Sequence, residues 1–330
     1  MVRLSGAGLP GLKEIEEAES RIRPHVPQTP LEHSRGISEL LGREVHLKLE
    51  TFHPIRVFKI RGAVNKLLTL DQGSLRRGVI TASSGNHGFA VAYASRLFGV
   101  SSTICVPQNV NPSKLRAIEE QGAEVVRFGS GYDETAENAA SLSRKRELTL
   151  IHAFNDPVII AGQGTCGLEI SRQLPDLDTA VVAIGGGGLI SGVAIALKAS
   201  LEKVTVLGAE TTAIPSMLES IRAGRPTRVV PKPTIADGMQ ASIPGTLTLE
   251  AVMKHVAKVG LVDDAEIRDA MYDLLSRARV LAEPAGAAPL AAMKGSLRGE
   301  GGSKLVLVVS GGNVSLSLLS SILKEKESQQ

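Results

Sequence analysis

Short apolar runs recur along the chain, and each is followed by a glycine-containing turn and then by a longer segment with helical spacing. Apolar and polar residues alternate over positions 45–50, as in a strand with one buried face, whereas apolar residues recur at three- and four-residue intervals over positions 60–68, as in an amphipathic helix. Lys59 therefore lies at a predicted strand-to-helix junction. Further strands are predicted at positions 79–82, 103–106, 125–128, 148–152, 181–184, 204–209 and 305–309. The helical segments between them are the crossovers that parallel strands require, so the pattern predicts an α/β fold with parallel sheets.

Length and composition predict the number of domains and exclude some classes of partner. The chain has 330 residues, 43% of them apolar, and this length favours two domains. No linker rich in proline, glycine or serine divides it, so two domains would be intertwined rather than arranged in series. Charged residues make up 22% of the chain and the net charge is +3, which does not indicate a nucleic-acid partner.

Apolar segments and cysteines predict the compartment. No apolar run approaches the ~20 residues that cross a bilayer, and the first residues lack the apolar core of a signal peptide. We therefore expect a cytoplasmic protein with no membrane partner. Cys105 and Cys166 do not form a CxxC pair, which indicates neither a disulfide framework nor a zinc site, so both are expected to be reduced packing residues.

Three glycine-containing loops follow predicted strands, at positions 83–88, 185–188 and 310–313. In an open α/β sheet ligands bind beyond the carboxyl ends of the strands, where glycine lets backbone N–H groups approach an anion. The four consecutive glycines at 185–188 are the strongest candidate for a phosphate site, although a tight packing turn would use them too. A dinucleotide site is a weaker interpretation, because the next strand has no acidic residue before Glu210 at its end.

Lys59 alone would be interpreted as a surface lysine, but its neighbours change that interpretation. Residues 58–63 read FKIRGA, residues 83–88 read SSGNHG, and the tetraglycine loop follows in the same order. With further motifs between Thr29 and Asn313, the chain strongly resembles the serine/threonine dehydratase and serine racemase family of fold-type II pyridoxal-phosphate enzymes. The resemblance implies an α/β fold of two intertwined, open, twisted parallel-sheet domains of the tryptophan synthase β type. Residues 75–154 would form the small domain, and residues 1–74 with 155–330 the large pyridoxal-phosphate-binding domain.

The resemblance also implies roles for individual residues. Lys59 would bind the cofactor covalently and then take the α-proton of the substrate, and Ser84 would be the second catalytic residue. Cofactor contacts would come from Phe58, Lys59, Asn86, Gly185, Gly186, Gly187, Gly188, Leu189, Glu283 and Ser310. Substrate contacts would come from Ser83, Ser84, Asn86, His87, Gly238 and Ser242. For His87 a purely structural interpretation, as a helix-capping residue, stays open.

The activity that the resemblance implies is that of a lyase acting on a small β-hydroxy amino acid, namely threonine, serine or 3-hydroxyaspartate. The products would be a 2-keto acid and ammonia, and homodimers are usual in the family. One alternative is an amino-acid racemase in which Ser84 and Lys59 act from opposite faces, although Thr135 stands where such racemases often have an arginine. Another is a binding protein that keeps the fold without turnover.

Two segments depart from the family pattern. The family usually has Pro-Thr-Gly-Ser before Phe-Lys, whereas this chain has Pro54-Ile55-Arg56-Val57. Arg56 would face solvent, replace a hydrogen bond of the missing serine, or attract a second substrate carboxylate such as that of 3-hydroxyaspartate. At the divalent-metal site of the family, Glu210 is kept but Ser216 replaces the second acidic ligand. A divalent or monovalent cation is therefore possible, but no metal site is predicted.

Overall fold

A computed structural model describes residues 8–108, 110 and 112–328. The strands are β1 Leu31–His33, β2 Glu44–Leu49, β3 Val79–Ala82, β4 Ser102–Val106, β5 Glu124–Arg127, β6 Thr149–Leu150, β7 Thr179–Ile184, β8 Thr205–Thr211, β9 Lys258–Val262 and β10 Lys304–Val309. The helices are α1 Leu12–Ile22, α2 Arg35–Leu41, α3 Lys59–Leu68, α4 Gln72–Arg77, α5 Asn86–Phe98, α6 Pro112–Glu119, α7 Tyr132–Arg146, α8 Pro157–Gln173, α9 Gly188–Ser200, α10 Ser216–Ala223, α11 Thr246–His255, α12 Asp264–Ala278, α13 Pro284–Lys294 and α14 Leu316–Glu327. Single-turn 3-10 helices lie at Glu50–Phe52 and Asp237–Met239.

The strands form two sheets. The larger has six strands in the order β1-β2-β10-β7-β8-β9, and the smaller has four in the order β5-β4-β3-β6. Every strand pair is parallel except β1 with β2, which is antiparallel. The predicted α/β fold with two open parallel sheets is therefore confirmed.

Three strands differ from the expectations. Strands β1 and β9 were not predicted, and β1 introduces an antiparallel edge. The strand predicted at 148–152 is too long, because β6 ends at Leu150 and only the N–H of Ile151 continues the ladder, donating to Ile80 O at 2.8 Å. The chain then turns at His152, whose ring nitrogen Nδ1 accepts hydrogen bonds from the backbone that follows.

The larger sheet is buried on both faces, as parallel sheets usually are. Along β7, Val181 packs with α12 and α13 on one face, whereas Val182 packs with α8 and α9 on the other. Helix α3 lies directly against α8, since a Cβ at Gly162 would come within 2.7 Å of the Cα of Gly62. This contact fixes the helix that begins at Lys59 against α8, which in turn packs on the larger sheet.

All four strands of the smaller sheet lie within the range predicted for the small domain, while the exact domain boundaries stay a prediction. The carboxyl ends of β3, β7 and β10 carry the three glycine loops predicted as ligand sites. No helix in the described part of the chain is long and apolar enough to cross a membrane.

Candidate active site

Lys59 is the first residue of α3, at the end of a segment that is paired with the end of β10. The N–H of Phe58 donates to Ser310 O at 3.0 Å, and Val57 forms an isolated antiparallel bridge with Gly311. This pairing brings Lys59 next to Ser310, although 251 positions separate them in the chain. The sequence predicted both as site residues, and the structure brings them together.

The amine of Lys59 lies in an enclosed position. Its Nζ donates to Ala153 O at 3.0 Å and stands 5.1 Å from the ring centroid of Phe58. Burial lowers the pKa of Lys59 to about 8, against the opposing effect of the negative charge on Glu283. About a tenth of the amine is therefore unprotonated at pH 7, far more than in an ordinary lysine, and the unprotonated form is the nucleophile.

The tetraglycine loop joins β7 to α9, which begins at Gly188. The unpaired backbone N–H groups of the first turn of α9 therefore lie at this loop. Gly187 has φ +90°, a left-handed conformation that favours glycine. A Cβ at Gly186 would lie 2.2 Å from the ring of Phe154, and Thr248 Oγ1 donates to Gly186 O at 2.7 Å. Leu189, which follows, is buried in the core. The loop therefore presents backbone rather than side chains, as an anion site requires.

Asn86, Glu283 and Asn313 form a polar cluster beside the amine. Asn86 Nδ2 donates to both carboxylate oxygens of Glu283, at 2.8 and 2.9 Å. Asn313 donates to the same cluster through its backbone N–H to Glu283 Oε2 at 3.2 Å and through Nδ2 to Asn86 Oδ1 at 2.9 Å. The cluster joins the loop after β3 to the start of α13, and thus connects the two sheets.

His87 is buried one residue inside α5. The N-cap of that helix is Gly85, so the helix-capping interpretation of His87 is wrong. Its Nε2 lies 3.4 Å from Ile151 O, and burial, together with the charge of Lys59, lowers its pKa to about 3. His87 is therefore a neutral polar group at neutral pH.

The remaining predicted substrate residues lie on two loops. Ser83 and Ser84 are half-buried between β3 and α5, and Ser83 Oγ accepts the N–H of Gly85 at 3.2 Å. A Cβ at Gly185 would lie 2.8 Å from Gly238 O, so the 3-10 helix at Asp237–Met239 contacts the tetraglycine loop. Ser242 is buried and its hydroxyl accepts from Arg228 at 3.0 Å, and the structure gives it no described contact with Lys59.

The sequence did not indicate the segment His152–Asn155 as part of the site. Ala153 contacts the amine, the Phe154 ring covers Gly186, and Asn155 Oδ1 accepts the N–H of Leu247 at 3.0 Å. The available signal was position alone, because the segment follows a strand of the smaller sheet directly and precedes a proline that starts α8.

A buried ionic network lies beneath the first turn of α3. Arg61 donates to Glu50 at 2.7 and 2.9 Å and to Glu169 at 2.9 Å through both terminal nitrogens. Lys48 Nζ donates to Glu169 at 2.6 Å, and His53 Nε2 lies 3.0 Å from Glu50. Although burial opposes it, the charge of Arg61 holds the pKa of Glu50 well below its usual range. The network fixes α3 to α8 and β2 two residues beyond Lys59.

The donor set at Glu210 does not fit a divalent cation. Its two carboxylate oxygens accept N–H groups from the first turn of α10, at 2.6 and 3.0 Å. Ile214 O accepts the N–H of Ser216 at 2.8 Å, and Ser216 Oγ donates to Ala241 O at 2.7 Å. Across the described residues there is no group of three or more His, Cys, Asp or Glu side chains suited to hold a metal. Magnesium or calcium would find here a Glu210 carboxylate whose two oxygens are already bonded to the helix.

The chemistry of the remaining donors fits a phosphate-bearing aldehyde. The Lys59 amine can bind an aldehyde, and the backbone amides of Gly185–Gly188 can hold a phosphate. Ser310 is buried, and its hydroxyl has no hydrogen-bond partner among the described residues. Asn86 supplies a polar contact held in place by Glu283. These groups surround one place between the two sheets.

Comparisons with known proteins agree with this chemistry. The model of a family described as pyridoxal-phosphate dependent enzymes matches residues 22–311. The chain is 43% identical over 314 residues to an L-threonine ammonia-lyase of Thermotoga maritima. The matched region covers 95% of this chain and 78% of that relative. Maize serine racemase is 37% identical with a TM-score of 0.87, covering 97% of this chain and 98% of that one. The processed threonine deaminase isoform 2 of Solanum lycopersicum is 30% identical with a TM-score of 0.88, covering 97% and 95%.

Proposed function

Because the chain belongs to the family of pyridoxal-phosphate dependent enzymes, we propose that it is a lyase that removes water and ammonia from threonine, serine or a related small β-hydroxy amino acid. The observation that carries the proposal is the enclosed Lys59 amine, whose pKa is lowered to about 8, beside a loop of four glycines. When bound, pyridoxal phosphate supplies an electron sink for the α-carbon of an amino acid.

The residues proposed to hold the cofactor surround that amine. Lys59, whose Nζ stands 5.1 Å from the centroid of the Phe58 ring, would bind it covalently. The N–H groups of Gly185–Gly188 and Leu189, at the start of α9, would bind its phosphate. Ser310 would interact with the ring nitrogen. Asn86 contacts the ring hydroxyl and is oriented by Glu283, which accepts both of its described Nδ2 hydrogen bonds.

The proposed substrate carboxylate site is the loop of Ser83, Ser84, Asn86 and His87 at the start of α5, with Gly238 and Ser242 on the opposite side. Helix starts favour anions, and the neutral His87 adds no charge of its own. Lys59 takes the α-proton, since its lowered pKa gives it an unprotonated fraction at neutral pH. We propose that the residues 75–154 form a small domain that covers this side of the cleft.

A racemase is the second candidate, because Ser84 lies in the same loop as the other substrate residues and maize serine racemase shares the fold. The surroundings of Thr135 favour the lyase. This residue is buried, and its hydroxyl donates to two backbone oxygens of the preceding segment, Phe128 O and Gly131 O, at 2.9 and 2.8 Å.

A panel of amino acids tests the proposal. The purified protein is incubated with both enantiomers of serine, threonine and 3-hydroxyaspartate, and keto acid, ammonia and inverted substrate are measured separately. A lyase forms keto acid and ammonia in equal amounts. Inverted substrate without keto acid would establish the racemase instead, and a lysine-bound cofactor with neither product would indicate a binding protein.

Substitution of Gly186 by alanine is expected to weaken pyridoxal phosphate binding by roughly 10- to 100-fold. The added Cβ would lie 2.2 Å from the Phe154 ring, and such overpacking costs about 1–3 kcal/mol. Titration of the absorbance of the lysine-bound cofactor measures the effect. Gly131→Ala is the matched control, because a Cβ there meets no atom within 4 Å. The double variant Gly186→Ala/Phe154→Ala should regain affinity, and its failure to do so would exclude the steric explanation.

Chelation is expected to leave both the activity and the thermal midpoint unchanged. Both Glu210 oxygens already accept N–H groups of α10, and the described residues hold no group of three His, Cys, Asp or Glu side chains suited to a metal. Activity and unfolding are measured after treatment with EDTA and after return of Mg²⁺ or Ca²⁺. The variant Ser216→Asp, which supplies the missing anionic ligand, should gain a cation-dependent rise in thermal midpoint. A metal requirement in the unchanged protein would contradict the proposed independence.

Arg56 is proposed to face solvent rather than the substrate. Its side chain is exposed, its Nη1 donates to Thr51 O at 3.3 Å, and its φ is +59°, where a side chain is strained. Arg56→Gly is therefore expected to raise the free energy of unfolding by up to about 1 kcal/mol, measured with urea, because glycine adopts a left-handed backbone conformation without steric strain. Arg56→Ala keeps the strain and serves as control. Both variants should keep the activity ratio between 3-hydroxyaspartate and serine, and a selective loss with 3-hydroxyaspartate would restore the substrate role.

A cytoplasmic homodimer is proposed as the working form. Phe52, Leu281 and Leu316 are exposed apolar residues. A Cβ at Gly312 would contact Leu281 O and the side chain of Thr51, the neighbour of Phe52, so two of these residues lie in segments that meet at Gly312. Exposed apolar side chains in such segments are candidates for burial in an interface. The buried free thiols Cys105 and Cys166 suit a reducing compartment. Light scattering of the loaded enzyme measures the oligomeric state.

A further inference from the structure

His152 is held in one tautomer by the backbone that follows it. Its Nδ1 accepts the N–H groups of Phe154 and Asn155, at 3.2 and 2.9 Å. A ring nitrogen that accepts two hydrogen bonds carries no hydrogen, so the hydrogen of the neutral imidazole lies on Nε2. Protonation of Nδ1 would direct an N–H at two other N–H groups. The ring is also fixed edge-on against Phe154, with centroids 4.7 Å apart and an interplanar angle of 88°.

The environment keeps this ring neutral. Burial, together with the positive charge of Lys59, lowers the pKa of His152 to about 4, against the opposing charge of Asp156. The side chain is half-buried, and the described residues provide no acceptor for its Nε2–H. A rigid, uncharged donor thus lies beside Ala153, the residue whose carbonyl accepts from the Lys59 amine at 3.0 Å.

Among the polar atoms of the proposed substrate, one lacks a partner. The carboxylate has the start of α5 and its serine-containing loop, and the amino group would bond to the cofactor in exchange for the Lys59 amine. The oxygen on the β-carbon is the atom without an assigned hydrogen-bond partner. His152 follows the end of β6, which pairs with β3, so it lies beside the carboxylate loop on the side of the Lys59 amine.

We propose that the Nε2–H of His152 donates a hydrogen bond to the β-hydroxyl oxygen of the substrate and thereby selects β-hydroxy amino acids. This inference rests on the proposed lyase function. Lys59 takes the α-proton, the Cβ–O bond breaks as the Cα=Cβ bond forms, and the proton on Lys59 passes to the departing oxygen, which leaves as water. His152 transfers no proton. Its hydrogen bond strengthens as negative charge develops on that oxygen.

Two substitutions of His152 distinguish the role of Nδ1 as a backbone acceptor from the role of Nε2 as a donor. In His152→Asn the side-chain carbonyl can still accept the N–H groups of Phe154 and Asn155, as in an Asx turn, but the distal N–H is lost. In His152→Gln the amide reaches the distal position and supplies an N–H there, while the acceptor for the backbone is lost. The thermal midpoint and the absorbance of the lysine-bound cofactor, measured for both variants, report on folding and cofactor loading independently of turnover.

Two leaving groups distinguish the proposed contact from a structural role. With L-serine, His152→Asn is expected to lower kcat/KM about 10- to 100-fold, because the oxygen loses its donor. With β-chloro-L-alanine, whose chloride leaves readily without a hydrogen-bond donor, the change should stay within about threefold. His152→Gln should recover part of the loss with L-serine while lowering the thermal midpoint.

The other outcomes overturn the proposal in distinguishable ways. An equal loss with both substrates would assign His152 a structural or carboxylate-binding role, and no loss with either would show that the Nε2–H meets no substrate atom. Failure of the unchanged enzyme to release keto acid from serine or threonine would instead remove the proposed lyase function. The unchanged enzyme is therefore measured first on both substrates.

Discussion

Replacing Lys59 with alanine is expected to lower kcat/KM with threonine or serine by at least ~10³-fold while the protein stays folded. The variant loses both the covalent anchor of the cofactor and the base for the α-proton. Stability should change little, because the amine makes one described hydrogen bond, to Ala153 O, and its burial disfavours the charge. Keto acid formation measures the loss of activity, and thermal unfolding measures the retained fold.

Two further lysine substitutions make this result specific. Lys59→Arg keeps a positive charge but cannot form the covalent link, so it should be as inactive as Lys59→Ala and show no absorbance of a lysine-bound cofactor. Lys258→Ala removes an exposed lysine that pairs with Glu300 at 2.7 Å on β9 and should keep nearly full activity. Substantial activity of Lys59→Arg would place the catalytic amine elsewhere.

The parts of the fold that could be predicted from the sequence are those with a strong local pattern. Strands such as β3 and β7 are mostly apolar runs that lead into a glycine-containing loop, and near-continuous apolar runs are typical of buried parallel strands. The three-residue β1 and the β9 segment Lys258–Val262, with its internal glycine, are too short or too mixed to be distinguished from loops. Their pairing depends on neighbours supplied by the rest of the sheet, which no local window contains.

The candidate site also contains residues that a local motif predicts and residues whose role depends on packing. Lys59 and the tetraglycine loop were predicted because each belongs to a motif at the end of an apolar segment. The contact of Asn86 with Glu283 joins residues 197 positions apart, and its geometry follows only from the packing of two sheets. His152 carried no motif, and its part in the site depends on a turn in which the backbone N–H groups of Phe154 and Asn155 fix the ring.

Arg61→Met is expected to produce the largest loss of stability of any substitution near the site, about 3–5 kcal/mol in the free energy of unfolding. Arg61 is fully buried, and its guanidinium donates to Glu50, Glu169, Thr29 and Thr165. Methionine fills much of the same volume but leaves the buried carboxylate of Glu50 without a described lysine or arginine partner. Glu169 keeps Lys48 at 2.6 Å and the half-exposed Arg23 at 3.7 Å. Urea unfolding of the loaded enzyme measures the change.

An exposed arginine provides the matched control for this effect. Arg172 donates to Glu19 at 2.7 and 2.8 Å but is half-exposed, so Arg172→Met should cost at most about 1 kcal/mol. The double variant Arg61→Met/Glu50→Gln should recover part of the loss, because it removes one of the unpaired buried charges. Equal costs at Arg61 and Arg172 would show that the buried network does not stabilise the fold. Because Arg61 lies two residues beyond Lys59 in α3, a loss of this size is also expected to raise the concentration of pyridoxal phosphate needed to saturate the protein.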